Sequence, residues 1–200
     1  MGQLPTIRPV PPQPQQQVTP LPTAFIQAAS VIPAMSFQQK IRIQAASGNQ
    51  NINVGPNTDY LLIVASIRST IAALRDDVVW GMNGDVGANY SWDQLFQSNG
   101  AVGASNSSAA TNAPQIANCP GNTADAGQFG WAFMFFTDLQ STTGLHRGVG
   151  WSSHVATFKA NSVVVVRDGY WNMLAPVRSI AIGLAGGLIQ TGSLFKIFTL

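Results

Sequence analysis

The stretch "VVWGMNGDVGANYSW", residues 78 to 92, decides what kind of fold this chain makes. Asn83, Asp85 and Asn89 in it, and Asp93 directly after it, fall within eleven residues around Gly84 and Gly87. An EF-hand calcium loop needs oxygen ligands at its first, third and fifth positions, glycine at the sixth and glutamate at the twelfth. With Asn83 as first ligand, Gly87 falls on the fifth position, and the chain has no glutamate anywhere. Asn-Gly is instead the dipeptide of a type I′ hairpin turn, because both residues accept positive φ. Asp85 and Asn89 are then placed to cap the turn's N–H groups, and Tyr90 and Trp92 return as anchors on one face. The stretch predicts strand, tight turn and strand, with no metal ligands.

Working outward, the chain after residue 37 reads as short strands separated by Gly, Asn and Ser. "QKIRIQA" alternates Ile41 and Ile43 with polar neighbours, the period of a half-buried strand. "YLLIVASI" (60–67) is a continuous apolar run that suits a strand or a helix. "RSTIAALRDD" has helical spacing at Ile71 and Leu74 and predicts one short helix. "WAFMFFTDL" (131–139), "HVATFKA" (154–160), "SVVVVRD" (162–168), "RSIAIGL" (178–184) and "SLFKIFTL" (193–200) are strand-like. The last is apolar on both faces except for Lys196, so it is expected to be sandwiched. Gly186-Gly187 and Gly192-Ser193 bracket a tight connection between the last two strands. The small-residue stretch 99–130 reads as one long loop, which is uncommon unless functional or packed on a partner. Eight or nine such strands predict an all-β, jelly-roll-like β-sandwich.

Residues 1–24 form a distinct segment ahead of a sandwich domain over 25–200. Seven of the twelve prolines lie there, with "QPQQQ" and a single charge, Arg8. Proline fixes φ and removes a donor, so the segment predicts an extended arm rather than a helix or central strand. Such an arm docks by backbone hydrogen bonds and by Leu4, Ile7, Val10 and Leu21, with Arg8 beside them.

Only 9% of the 200 residues are charged, against roughly 25% in ordinary globular domains, while 46% are hydrophobic. Surfaces poor in charge resist association weakly, which points to a surface covered by neighbouring subunits. The net charge of +2 comes from cations scattered along the chain, with no cluster to track phosphates, so nucleic acid is not an expected partner. Cys119 is the only cysteine, which rules out an intrachain disulfide and a cysteine-based zinc site. The opening residues have no apolar run of the secretory kind. The longest apolar stretch, "SIAIGLAGGLIQTGSLF", is glycine-rich and shorter than a membrane span, so no membrane is expected.

Catalytic chemistry finds little support. His146 and His154 stand alone without metal-ligand spacing, and "STTGLHRG" reads as a loop. Asp76 and Asp77 are adjacent, which in a strand sends them to opposite faces, unsuited to a glycosidase pair. No nucleophile elbow or phosphate loop occurs. The chain is expected to be non-enzymatic and to need no cofactor.

The order of several motifs adds a likeness. "WGMNGDVGANYSWDQL", then a small-residue loop, "GQFGWAFMFFTDLQSTTGLHRGVGWSSH" and "GYWNMLAPVRSIAIGLAGGLIQTGSLFKIFTL" together resemble a recurring module of tailed-phage virion proteins, over roughly residues 60–200. His146-Arg147 stands where that module often has a lysine, and "KIFTL" where many members end in "LYG". The resemblance implies a structural protein on the virion surface, assembled in the bacterial cytoplasm. By analogy it implies a homotrimer that clamps major capsid subunits as a decoration (cement) protein, with the arm as tether. The alternative it leaves open is a tail-associated module binding a host surface glycan, with Trp92, Trp151, Tyr170 or Trp171 stacking on sugar rings.

Overall fold

The computed structural model describes residues 35–110, 114–157 and 160–199; the arm of residues 1–24, and with it Leu4, Ile7, Arg8, Val10 and Leu21, lies outside them. The described chain is all β. Its strands are β1 (Ser36–Arg42), β2 (Gln50–Asn53), β3 (Leu61–Ile67), β4 (Arg75–Met82), β5 (Tyr90–Ser98) and β6 (Ala101–Ala110). They continue with β7 (Gln115–Pro120), β8 (Gly130–Thr137), β9 (His146–Thr157), β10 (Ala160–Trp171), β11 (Ser179–Leu184) and β12 (Leu194–Thr199).

These strands form two antiparallel sheets, ordered β1-β12-β3-β8-β9-β10-β5-β6 and β2-β11-β4-β7. Consecutive pairs in the chain occupy matching places in the two sheets: β1 with β2, β12 with β11, β3 with β4, and β8 with β7. Each such pair therefore crosses from one sheet to the other, the rolled-up arrangement of a jelly roll. Two hairpins, β5–β6 and β9–β10, are added to one end of the larger sheet, which consequently extends past the smaller one.

The core lies between the sheets and is aromatic at its centre. Trp80 meets Tyr90 edge-on at 5.5 Å and Phe136 at 5.4 Å, and Trp171 stacks on Tyr90 at 6.5 Å. All four rings are at most 2% exposed, and burial of such a side chain contributes about 1.5–3 kcal/mol. Gly150 lets β7 settle directly onto β9, since a Cβ there would lie 2.2 Å from the Ile116 carbonyl oxygen.

Four expectations change. The Asn83-Gly84 turn forms, with φ of 52° and 70° and Asp85 N–H donating to Met82 O at 2.9 Å, but it does not close a hairpin. Strands β4 and β5 belong to different sheets, so the turn starts a crossing between them. The short helix at 68–77 is absent. Ser69 N–H bonds Pro120 O (2.8 Å), Thr70 N–H bonds Leu188 O (2.9 Å) and Ile71 N–H is capped by Ser69 Oγ (3.0 Å), so other segments take the groups a helix would use. A nucleus of one or two turns has too little cooperative gain to compete. The stretch 99–130 is not one loop but contains β6 and β7. Its Ala, Ser and Gly residues conceal strands whose place is set by pairing with β5 and β4. Lastly, β12 is flanked by β1 and β3, yet only one of its faces is covered. Phe195 and Ile197 are buried while Lys196 is exposed.

Candidate functional site

In an antiparallel sheet with one wet face, outward residues are ordinarily polar. Strands β8 and β10 break that rule. Ala132, Met134 and Phe136 point into the core, and Trp131, Phe133 and Phe135 point out; Val163 and Val165 point in, and Val164 and Val166 out. Antiparallel register then lines up outward residues across strands. One row runs Val64, Phe133, Trp151, Val166, Leu95 and Ala104, six neighbouring strands with no polar side chain. Trp151 (47% exposed) and Leu95 (62%) stand open along it, and Trp131 (57%) stands open in the adjoining row, opposite Ser153. Phe133 stacks on Trp151 with ring centroids 5.8 Å apart, and Tyr60 stacks on Phe135 at 6.2 Å. Beside this row lies a second, Phe37, Phe198, Leu62, Phe135 and Val149.

The charges on this outer face are sorted. At the β1–β12 end Lys40 is directly opposite Lys196, and Arg42 is opposite Leu194. At the other end Asp168 is opposite Asp93. Arg147 donates to Asp168 in a fork, its Nε at 2.8 Å, and lies over the Tyr170 ring at 5.6 Å, leaving Asp93 as the open carboxylate.

A different kind of site lies where the larger sheet extends past β7. Arg167, only 3% exposed, donates to Ala117 O (2.6 Å), Asp77 Oδ1 (2.9 Å) and Gln94 Oε1 (2.8 Å). Burial pushes its guanidinium down from the ordinary value, and the hydrogen bond and charge of Asp77 oppose that shift. Asp77 also accepts from Gln115 (3.0 Å) and from Asn118. Trp92 borders the cluster with the Arg167 guanidinium 6.0 Å from its ring. Together with Arg75 and Phe96 these groups line a cleft of about 240 Å³. Asp76, next in the chain to Asp77, serves separate partners, Ser69 Oγ (2.7 Å) and Gly186 N–H (3.0 Å). The two carboxylates do not act as a pair.

The four aromatics expected to stack on sugars are not brought together. Trp151 and Tyr170 lie on the outer face and Trp92 in the cleft. Trp171 is 2% exposed in the core, a correction explained by its indole N–H, which donates to Asp85 Oδ2 at 2.6 Å. Asp85 also accepts from Gly87 N–H and the Asn89 amide, both at 2.8 Å, so its oxygens face donors as a capping group does. These bonds, led by Trp171, hold its carboxyl below the ordinary range against the opposing effect of burial. Asn83 caps a different strand, accepting from Arg178 N–H (2.7 Å) and Ser179 N–H (3.2 Å).

His146 starts β9 and is wholly buried, not in a loop; its Nδ1 lies 2.7 Å from Asp138 O and its ring 5.1 Å from Trp171. His154 is 6% exposed, and burial, helped by Arg75, lowers its pKa to about 4. Burial likewise raises the Cys119 thiol well above its ordinary value, with Asp76 and Asp77 adding to the rise.

Arg167 and the outward apolar rows went unrecognised in the sequence. Their signal was present in "WAFMFF" and "VVVV", where residues of both parities are apolar. When compared with known proteins, the chain matches no family model, no curated protein and no solved structure.

Proposed function

We propose that this chain is a non-enzymatic structural protein of a tailed-phage virion, a decoration protein that binds across neighbouring major capsid subunits. The observation that carries this reading is the open apolar outer face of the larger sheet, which supports reading the chain as a subunit covered by neighbours in an assembly, whether copies of itself or other virion proteins. Monomeric proteins rarely leave contiguous apolar patches beyond a few hundred Å², and larger ones mark interaction surfaces. A jelly roll scaffold and a charge-poor composition suit a subunit that finishes burying its surface among neighbours. Residues 1–24 act as a tether, adding contact area at the seam, where a specific interface of ~1,000 Å² or more is expected.

Copy number per purified virion, measured against the major capsid protein, tests the proposal. A ratio near one to one, or one to a few, supports decoration of the head. Removing residues 1–24 is expected to weaken capsid binding; undiminished binding would overturn the tether.

A second reading, a tail-associated glycan-binding module, is favoured by the cleft beside β7. An aromatic ring at Trp92 next to amide, carboxylate and guanidinium groups is the chemistry that holds a sugar. Copies numbering from a few to a few tens per virion, together with saccharide binding lost in Trp92→Ala, select this reading.

A further inference from the structure

We propose that copies of this chain associate through the outer face of the eight-stranded sheet, with the Lys40–Lys196 end of one copy lying against the Asp93 end of another. The inference rests on the reading of the chain as an assembling subunit and names where the assembly contact lies.

Three observations select a second copy as occupant. The first is extent. Eight strands ~4.8 Å apart, crossed from edge to edge by three rows of outward residues ~6.8 Å apart, give a flat area of about 34 by 14 Å. The protruding side chains add to it, making a patch at the small end of specific interfaces. The second is composition. The centre of the face is the Phe133–Trp151 stack with Val166 and Leu95 alongside, the aromatic and aliphatic kind of residue that dominates binding energy. The third is the sorting of charge. Lys40, Arg42 and Lys196 have no ion-pair partner among the described residues, and Asp93 has none either. Turning one copy over another places the cationic end of each against the anionic end of the other, so the face complements itself.

The chain's own leading segment does not meet the same demands. Residues 1–34 contain one charged side chain, Arg8, and no carboxylate, so they leave the Lys40–Lys196 end unpaired.

Sedimentation equilibrium of the full chain at micromolar concentration, in low and in high salt, tests the inference. The expected result is a defined oligomer that weakens but persists as salt rises, because screening acts on the charged ends and not on the apolar centre. Trp151→Lys and Leu95→Lys are each expected to weaken association ~30-fold or more, the range of interface hot spots. Asp93→Lys weakens it ~10-fold, and adding Lys196→Asp to that variant restores it to within ~3-fold, which a merely misfolded protein does not do. Val86→Lys, 83% exposed and off this face, serves as control and leaves the mass unchanged. A monomeric wild type overturns the inference, as does an oligomer indifferent to Trp151→Lys and Leu95→Lys in variants that melt like wild type. Copy number per virion is a separate readout, so a virion role can fail while the self-contact stands, and the reverse.

Discussion

Asn-Gly occurs twice after a strand in this chain, at 83–84 and 99–100, and the two turns do different work. Both have the positive φ angles that the dipeptide favours, 52° and 70° in the first and 52° and 85° in the second. The second joins β5 to β6 as an ordinary two-residue hairpin, with Ser98 opposite Ala101. The first sends the chain from the smaller sheet to the larger. The dipeptide therefore encodes a local reversal, and whether the flanking strands pair depends on what holds the exit. At 83–84 that is a web of side chains. Asp85 bonds Trp171, Asn83 bonds the start of β11, and Tyr90 Oη, which accepts from Met82 N–H at 2.9 Å, donates to Asp85 O at 3.1 Å.

The largest difference between the turns is expected at Asp85. Asp85→Ala leaves the buried Trp171 indole N–H without its acceptor and removes the cap on Gly87, a loss of about 2–4 kcal/mol in denaturant unfolding. An effect under about 1 kcal/mol would mean that the first turn is held by its backbone alone, like the second. The same carboxylate leaves an acid signature. Its pKa is depressed in the fold, so its contribution is complete above the ordinary carboxylate value and is lost as pH falls through the folded one. The melting-temperature gap between wild type and Asp85→Asn should accordingly close as pH drops below about 4.

His154 contributes a neighbouring window that has to be separated from that one. It is neutral in the fold, with a pKa near 4 instead of 6.5, so the unfolded chain binds the extra proton and stability falls as pH drops from 6.5 toward 4. His154→Gln is expected to flatten melting temperature across that window while leaving the Asp85 effect below it.

A smaller effect belongs to Asn83. Asn83→Ala gives up the caps on Arg178 and Ser179 and places alanine at positive φ, about 1–2 kcal/mol in the same unfolding measurement. Least of all is expected from Gly100→Ala. The strain is similar, about 1 kcal/mol, but it falls on the edge hairpin, so hydrogen exchange should quicken along β6 while the global melting temperature barely moves. Equal global shifts for Asn83→Ala and Gly100→Ala would erase the distinction between crossing and hairpin.

That contrast also shows how far the sequence could be read. Alternation in "RSIAIGL" and the turn chemistry at 83–84 were enough for strands, class and jelly roll, because period and positive φ are local properties. The partner of each strand was not local. Asn99-Gly100 carries the same hairpin signal as Asn83-Gly84, yet "AVGASNSSAA" after it has so few large side chains that its strand emerges only from pairing with β5. The candidate face was hidden differently. Trp151 and Val166 are visible as apolar residues, but that they share a row with Phe133 and Leu95 follows from the register of β8, β9 and β10 and from the pairing of β10 with β5, far earlier in the chain. Arg167 looked like one scattered cation until β7 was laid against it.

Cys119 turns this packing into a clock. The residue is 1% exposed on β7, and burial holds its side chain in the thiol form, whereas only the thiolate attacks a disulfide reagent. Colour released from such a reagent therefore counts the moments when the packing around β7 opens. The chain carries no second thiol to confuse the count. Every substitution described above can be timed by its own native sulfur, with no label introduced.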